Sequence, residues 1–133
     1  MALPSRPRRL IVDGMNVIGS RPDGWWRDRE GAARRLVEQL RAFADRTGDE
    51  VTVVFDGGPS PDLAEGLHGS VMVRYASREG PDAADDRIVR LVAADPNPAT
   101  LEVVTADARL RERVLQLDAT VSGPRTFRRE LDS

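Results

Sequence analysis

Short apolar runs alternate along the chain with stretches that repeat apolar residues every three or four positions. The runs are rich in β-branched residues, as buried strands are, and lie at residues 10–12, 51–55, 71–75 and 101–105. The stretches between them have the spacing of amphipathic helices and include residues 36–44, 88–92 and 110–117. Strands that alternate with helices form a parallel sheet covered on both faces. The pattern therefore predicts an α/β fold with three layers, α/β/α, around a mostly parallel sheet.

Aspartates recur where the predicted strands end and where one predicted helix begins. Asp13, Asp56 and Asp107 each follow an apolar run, and Asp85 and Asp86 open the middle helix. Turn formation or helix capping explains each position taken singly. Neither explains the choice of Asp over Ser, Thr or Asn after three separate strands. Because ligands of parallel sheets bind at the carboxyl ends of the strands, we expect these carboxylates to meet in one crevice.

The available side chains narrow the kind of ligand that such a crevice binds. The chain has no cysteine and a single histidine, so thiolate sites and imidazole clusters are excluded. Carboxylate oxygens alone suit a hard divalent cation. The expected cofactor is therefore Mg2+ or Mn2+.

Length and hydropathy indicate a small globular protein. With 133 residues and 40% hydrophobic content, the chain is expected to form one domain over residues 8–133, preceded by a disordered tail over residues 1–7. No run of about 18 apolar residues is present, and the Pro- and Arg-rich start lacks the apolar stretch of a signal peptide. The expected location is cytoplasmic, without a membrane partner.

The charge of the chain does not by itself indicate a nucleic-acid-binding protein. The formal net charge is −2, although all 20 basic residues are arginines. Guanidinium groups bind phosphate with two parallel hydrogen bonds and stack on bases, but GC-rich codon usage is the simpler explanation for the excess of arginine. Any nucleic-acid contact must therefore come from a local patch.

Two groups of arginines are candidates for that patch. Arg87 and Arg109 lie next to the acidic positions, where they are placed to contact a phosphate group. Arg125, Arg128 and Arg129 form a basic run near the C-terminus that is placed to hold flanking RNA phosphates. The alternative for both groups is an ordinary solvated or ion-paired surface.

Four segments of the chain resemble the successive motifs of a known family. They are residues 13–18, 54–57, 84–88 and 104–110. Their order and spacing are similar to those of NYN-domain proteins of the PIN-like nuclease superfamily, and most nearly to the YacP-like branch. The resemblance extends from residue 8 to residue 121. It implies a compact α/β PIN-like fold and a metal-dependent ribonuclease.

The resemblance also implies roles for individual residues. Metal-site carboxylates fall on Asp13, Asp85 and Asp107, and Asn16 matches the motif asparagine that orients the first aspartate. Two further acids belong to the expected site. Asp86 fits a second acid that some relatives carry, and Asp56 is an outer member. Since Mg2+ keeps several waters, Asp13 and Asp107 are expected as direct ligands, and the Asp85–Asp86 pair is expected to bind through water or to hold a second ion.

The expected function is that of an endoribonuclease which hydrolyses phosphodiester bonds of single-stranded RNA with Mg2+ or Mn2+. One alternative is a non-catalytic RNA-binding or protein-interaction module with the same fold. Another is a nuclease that acts on structured DNA. Single-stranded RNA is the expected partner, whereas a ribosome or toxin-type partner and the oligomeric state stay open.

Overall fold

The computed structural model describes residues 7–76 and 82–133, so nearly all of the predicted N-terminal tail lies outside the described residues. The strands are β1 (Arg9–Asp13), β2 (Glu50–Phe55), β3 (Gly66–His68), β4 (Val71–Tyr75), β5 (Leu101–Val104) and β6 (Thr120–Ser122). The helices are α1 (Gly14–Gly19), α2 (Arg29–Thr47), α3 (Ala83–Ala94), α4 (Ala108–Leu115) and α5 (Pro124–Leu131). Short 3-10 turns lie at Trp25–Arg27 and Pro98–Thr100.

The strands form one six-stranded sheet in the order β3-β4-β2-β1-β5-β6. All neighbouring strands are parallel except β3, which pairs antiparallel with β4 at the edge. In the centre, Val12 of β1 lies opposite Val53 of β2 and Val104 of β5. The three central strands are therefore in register, and the residues that follow them emerge at the same edge of the sheet. The predicted mostly parallel sheet is confirmed.

Helices cover both faces of the sheet, as its apolar strands require. Leu10 and Val12 contribute to a core shared with α1, α2 and α5. Ile11, which points to the opposite face, belongs to a second core with α3 and α4. The predicted three-layer α/β/α architecture is confirmed. Among the described helices, none has both the length and the apolar character needed to cross a membrane.

α1 begins directly at the end of β1, and this abrupt transition depends on Gly14. A Cβ atom at Gly14 would lie 2.6 Å from Cε1 of Phe55 and 3.0 Å from the carbonyl oxygen of Val54. Phe55 is buried in the core that α1 and α2 share, so an added side chain at Gly14 requires its ring or the backbone to shift. The missing side chain therefore allows β1 and α1 to pack closely on the end of β2.

We expect Gly14→Ala to lower the free energy of unfolding by about 1–3 kcal/mol, because overpacking forces a buried ring or the backbone to shift. Gly58→Ala is the matched control, since a Cβ atom there meets nothing within 4 Å. Thermal and denaturant melts of both variants measure the difference. A Gly14→Ala protein as stable as the Gly58→Ala protein would show that the contact with Phe55 is not tight.

Candidate active site

Four of the predicted carboxylates lie at the edge of the sheet where β1, β2 and β5 end. Asp13 is the last residue of β1, Asp56 follows β2, and Asp107 lies three residues beyond β5. Asp85 lies in the first turn of α3. Asp13 and Asp85 are each only 7% exposed. We call these four residues the acidic cluster.

Thr105 connects two members of the acidic cluster. Its Oγ1 donates a hydrogen bond to Oδ2 of Asp13 at 2.9 Å and accepts one from the backbone N–H of Asp107 at 3.1 Å. Asn16, predicted to orient Asp13, accepts a hydrogen bond through Oδ1 from the backbone N–H of Ala106 at 2.8 Å. Asn16 therefore holds the loop after β5, whereas Thr105 contacts the carboxylate of Asp13 directly.

Asp13 is the most perturbed member of the acidic cluster. Burial raises the pKa of its carboxyl group to about 7, and the hydrogen bond from Thr105 opposes this rise. The charges of Asp85, Asp56 and Asp107 raise the pKa further. The four carboxylates are therefore near enough to influence one another, although they come from distant parts of the chain.

Asp85 is the second strongly perturbed carboxyl group. Burial raises its pKa to about 6, with further contributions from the charges of Asp107 and Asp82, and Arg113 opposes the rise. Within the described part of the chain, no hydrogen bond or ion pair satisfies the Asp85 carboxylate, although this residue is buried. Its oxygens are not fully enclosed, so solvent, the charge of Arg113 or a bound cation would compensate the ionised carboxylate.

The outer members of the acidic cluster make contacts of their own. Asp107 accepts a hydrogen bond through Oδ1 from the backbone N–H of Leu110 at 3.0 Å, so it caps α4 as well. Burial raises the pKa of Asp56, and the charge of Arg29 opposes this rise. Across residues 7–76 and 82–133, no three acidic or histidine side chains are already arranged around a common point as a metal site would be.

Asp86, predicted beside Asp85, has a different environment. Its Oδ1 accepts a hydrogen bond from Nη1 of Arg113 at 2.9 Å, and about one third of its side chain is exposed. Consecutive residues of a helix point about 100° apart, which is why one acid is buried in the cluster and its neighbour forms an ion pair on the surface.

The two arginines next to the acidic positions have different partners. Nη1 of Arg87 donates to the carbonyl oxygen of Tyr75 at 3.4 Å, and Nη2 lies 3.6 Å from Glu65. Arg109 has a side chain that is 71% exposed and lies 3.4 Å from Asp82 at the start of α3. Arg109 is therefore the more available of the two for a phosphate group.

The basic run of α5 does not form one surface. Arg125 and Arg129 are exposed, whereas Arg128 is partly buried. Nη1 of Arg128 donates a hydrogen bond to Oε1 of Gln39 in α2 at 2.9 Å. The three arginines therefore face at least two different environments.

A cavity of about 460 Å³ opens beside Asp56. Phe55, Tyr75 and Met15 provide its apolar lining, and Arg29 lies among its polar residues. Polar residues, among them Glu30, Asp56 and Ser60, contribute to the lining as much as the apolar ones, and the size of the cavity is that of a site for a small organic ligand. It continues the acidic cluster toward α2.

The fold and the position of the cluster define an α/β/α domain with an acidic site at the carboxyl ends of its strands. The family model of the YacP-like NYN domain matches residues 10–133 of the sequence, and the chain belongs to this family. Its members are associated with a nuclease-type PIN-like fold. No protein with a curated description matches the chain.

Two crystal structures of Rae1 (YacP) from Bacillus subtilis are similar to the chain. A tryptophan-to-leucine mutant is 28% identical, with a TM-score of 0.75 and coverage of 94% of this chain and 75% of that chain. A second structure is also 28% identical, with a TM-score of 0.72 and coverage of 92% of this chain and 72% of that chain. The fold predicted from the motifs is thereby confirmed.

Proposed function

We propose that the chain is a metal-dependent endoribonuclease that hydrolyses single-stranded RNA at the acidic cluster. The observation that carries this proposal is the convergence of four carboxylates at the ends of β1, β2 and β5. Two of them, Asp13 and Asp85, are buried and have raised pKa values. Perturbed acidic groups at the ligand-binding edge of a parallel sheet are typical of a functional site.

The donor set fits a hard divalent cation. Every side chain of the acidic cluster offers carboxylate oxygens, and the carboxylate of the largely buried Asp85 accepts no hydrogen bond from a described residue, so its oxygens are available to a ligand. We assign Asp13, Asp85 and Asp107 to hold Mg2+ or Mn2+, with Asp56 and Asp86 at the periphery. Such a cation lowers the pKa of water and neutralises charge on the phosphate. Since the carboxylates do not yet enclose a common point, binding requires them to turn toward the ion.

The protein residues around the cluster have separate tasks in this mechanism. Thr105 holds Asp13 through its hydroxyl group, so that one oxygen of the carboxylate has a fixed direction. Asn16 fixes the loop that carries Asp107 through its bond to Ala106. Arg109 is exposed at the start of α4, where it pairs with Asp82 through Nη1 and has further N–H groups that would bind a phosphate oxygen of the substrate.

The cavity beside Asp56 favours a single strand over a duplex. Unpaired bases are recognised by insertion into pockets with aromatic and arginine side chains, which a base within a helix does not reach. Arg29 and the largely buried rings of Phe55 and Tyr75 line this cavity next to the cluster, together with the acids Glu30 and Asp56. A base adjacent to the scissile phosphate would therefore occupy this cavity.

We expect the purified protein to cleave an unstructured RNA with Mn2+ or Mg2+ and to stop when EDTA is added. The same sequence annealed as a duplex, and the same sequence as single-stranded DNA, serve as substrate controls and should be cleaved more slowly. Gel analysis of end-labelled substrates measures all three. Cleavage that persists in EDTA would contradict the metal mechanism, preferential cleavage of DNA would favour a DNA nuclease, and RNA binding without cleavage would favour a non-catalytic module.

A further inference from the structure

A second, smaller cavity lies between α1, α2, α5 and the turn at Trp25–Arg27. Its volume is about 200 Å³. Three arginines from three different segments line it, namely Arg21, Arg35 and Arg128. Asp23 is the single carboxylate among its lining residues. The cavity therefore collects more positive than negative charge.

The arginines of this cavity are poorly compensated. Arg21 forms an ion pair with Asp132. Arg35 forms no ion pair or hydrogen bond with any residue in the described ranges, and the hydrogen bond of Arg128 is to the neutral side chain of Gln39. Moreover, Nε of Arg128 is buried and has no hydrogen-bond partner in the described part of the chain. Burial lowers the pKa of Arg128, and the charge of Arg21 lowers it further, while the charges of Asp132 and Asp23 oppose this shift.

Such an arrangement is costly unless an anion occupies the cavity. A buried donor without a partner costs about 1–3 kcal/mol, and more if it is charged. One water molecule fills only about 30 Å³ and carries no charge, so it does not balance several guanidinium groups. A phosphate group offers several acceptor oxygens and matches the fork of the guanidinium group.

We propose that this cavity is a phosphate-binding pocket that holds a backbone phosphate of the bound RNA. The presence of RNA rests on the proposed function. α1 has six residues and spans about 9 Å, with Asp13 before its first residue and Arg21 shortly after its last. The cavity therefore lies one short helix away from the acidic cluster, a distance that a few nucleotides of a single strand can span. The pocket thus holds the strand at a fixed distance from the cluster.

Inorganic phosphate tests the pocket without RNA, metal or cleavage. We expect phosphate, compared with chloride at equal ionic strength, to raise the melting temperature in EDTA and to change the fluorescence of Trp25, which lines the cavity. Arg35→Gln should weaken phosphate affinity by about tenfold, because a charge-assisted hydrogen bond is lost. Since Arg35 has no partner among the described residues, this substitution removes no native ion pair.

Arg34→Gln is the matched control. Arg34 is the preceding residue of the same helix and its replacement removes the same charge, but its side chain does not line the arginine cavity and lies 3.7 Å from Asp62. Arg35 borders both this cavity and the one beside Asp62, whereas Arg128 borders only the arginine cavity of the two. We expect Arg34→Gln to leave phosphate affinity unchanged, and Arg128→Gln to reproduce the loss seen with Arg35→Gln. The proposed pocket would be contradicted if phosphate did not affect the wild-type protein, or if the Arg34→Gln and Arg35→Gln variants bound phosphate with equal affinity.

RNA binding in EDTA identifies the source of the phosphate. We expect Arg35→Gln to weaken binding of 5′-hydroxyl and 5′-phosphate oligoribonucleotides alike, and more than Arg34→Gln does. Weakening confined to the 5′-phosphate oligomer would overturn the assignment to the backbone in favour of a terminal phosphate. If neither oligomer responds while inorganic phosphate still binds, the RNA assignment is wrong. None of these binding measurements requires cleavage. A protein that binds RNA through this pocket but does not cleave it would therefore contradict the nuclease proposal and not the pocket.

Discussion

Asp13→Asn is expected to slow RNA cleavage by roughly 10³-fold or more, because it removes the charge of a proposed metal ligand from the centre of the acidic cluster. The fold should survive, since Asn retains an oxygen that accepts the hydrogen bond from Thr105. Asp85→Asn should slow cleavage to a similar extent. Asp86→Asn should slow cleavage by less than about tenfold, since the carboxylate of Asp86 pairs with Arg113 rather than with a metal ion. Single-turnover cleavage of end-labelled RNA with Mn2+ measures these rates.

Asp95→Asn is the control for this series. Asp95 forms an ion pair with Arg9 at 2.6 Å, at the opposite edge of the sheet, so its replacement should leave the cleavage rate unchanged. Circular dichroism of every variant verifies the fold. Full activity of Asp13→Asn, or an equal loss in Asp86→Asn and Asp85→Asn, would contradict the arrangement proposed for the cluster.

The second large effect concerns the stability of the metal-free protein. Folding raises the pKa of Asp13 from 3.8 to about 7 and that of Asp85 to about 6, so the folded state binds protons more tightly than the unfolded state. The free energy of unfolding in EDTA should therefore fall as the pH rises from about 4 to about 7. The titration of Asp13 alone should lower the free energy of unfolding by about 2 kcal/mol between pH 5.5 and pH 8, and the melting temperature by roughly 5 °C.

Melting curves in EDTA and in Mn2+ measure this dependence. Asp13→Asn should melt above wild type at pH 8 in EDTA and should lose most of the dependence on pH. Mn2+ should raise the melting temperature of wild type at pH 8, because it binds the folded state, and should act much less on Asp13→Asn. The wild-type protein could instead melt at the same temperature at pH 5.5 and pH 8, with no change on addition of Mn2+. That result would mean that Asp13 carries no buried charge.

The sequence was sufficient to predict which end of the sheet carries the site. Apolar runs of three to five residues define parallel strands, and the residue after each run must emerge at the same edge. That rule places Asp13, Asp56 and Asp107 together without knowledge of any contact. The edge strand β3 and the strand β6 were not predicted, since three residues with little apolar character give no periodic pattern.

The contacts within the site were not predictable in the same way. Thr105 was present in a recognised motif, but only the register of β1 and β5 brings its hydroxyl group to Asp13. Asp85 and Asp86 are equivalent by position in the sequence, and the packing of α3 against α4 decides which of them is buried. The direction of Arg128 depends likewise on how α5 packs against α2. These choices depend on tertiary packing, which local patterns do not contain.

The central claim is that Asp13, Asp85 and Asp107 hold one divalent cation at the ends of β1 and β5. A crystal structure of the protein soaked in Mn2+, with an anomalous difference map, tests it most directly. We predict a peak within coordination distance of a carboxylate oxygen of Asp13 and of at least one of Asp85 and Asp107, and no such peak in Asp13→Asn. A map without a peak at the cluster, or with manganese bound only elsewhere, would contradict the account.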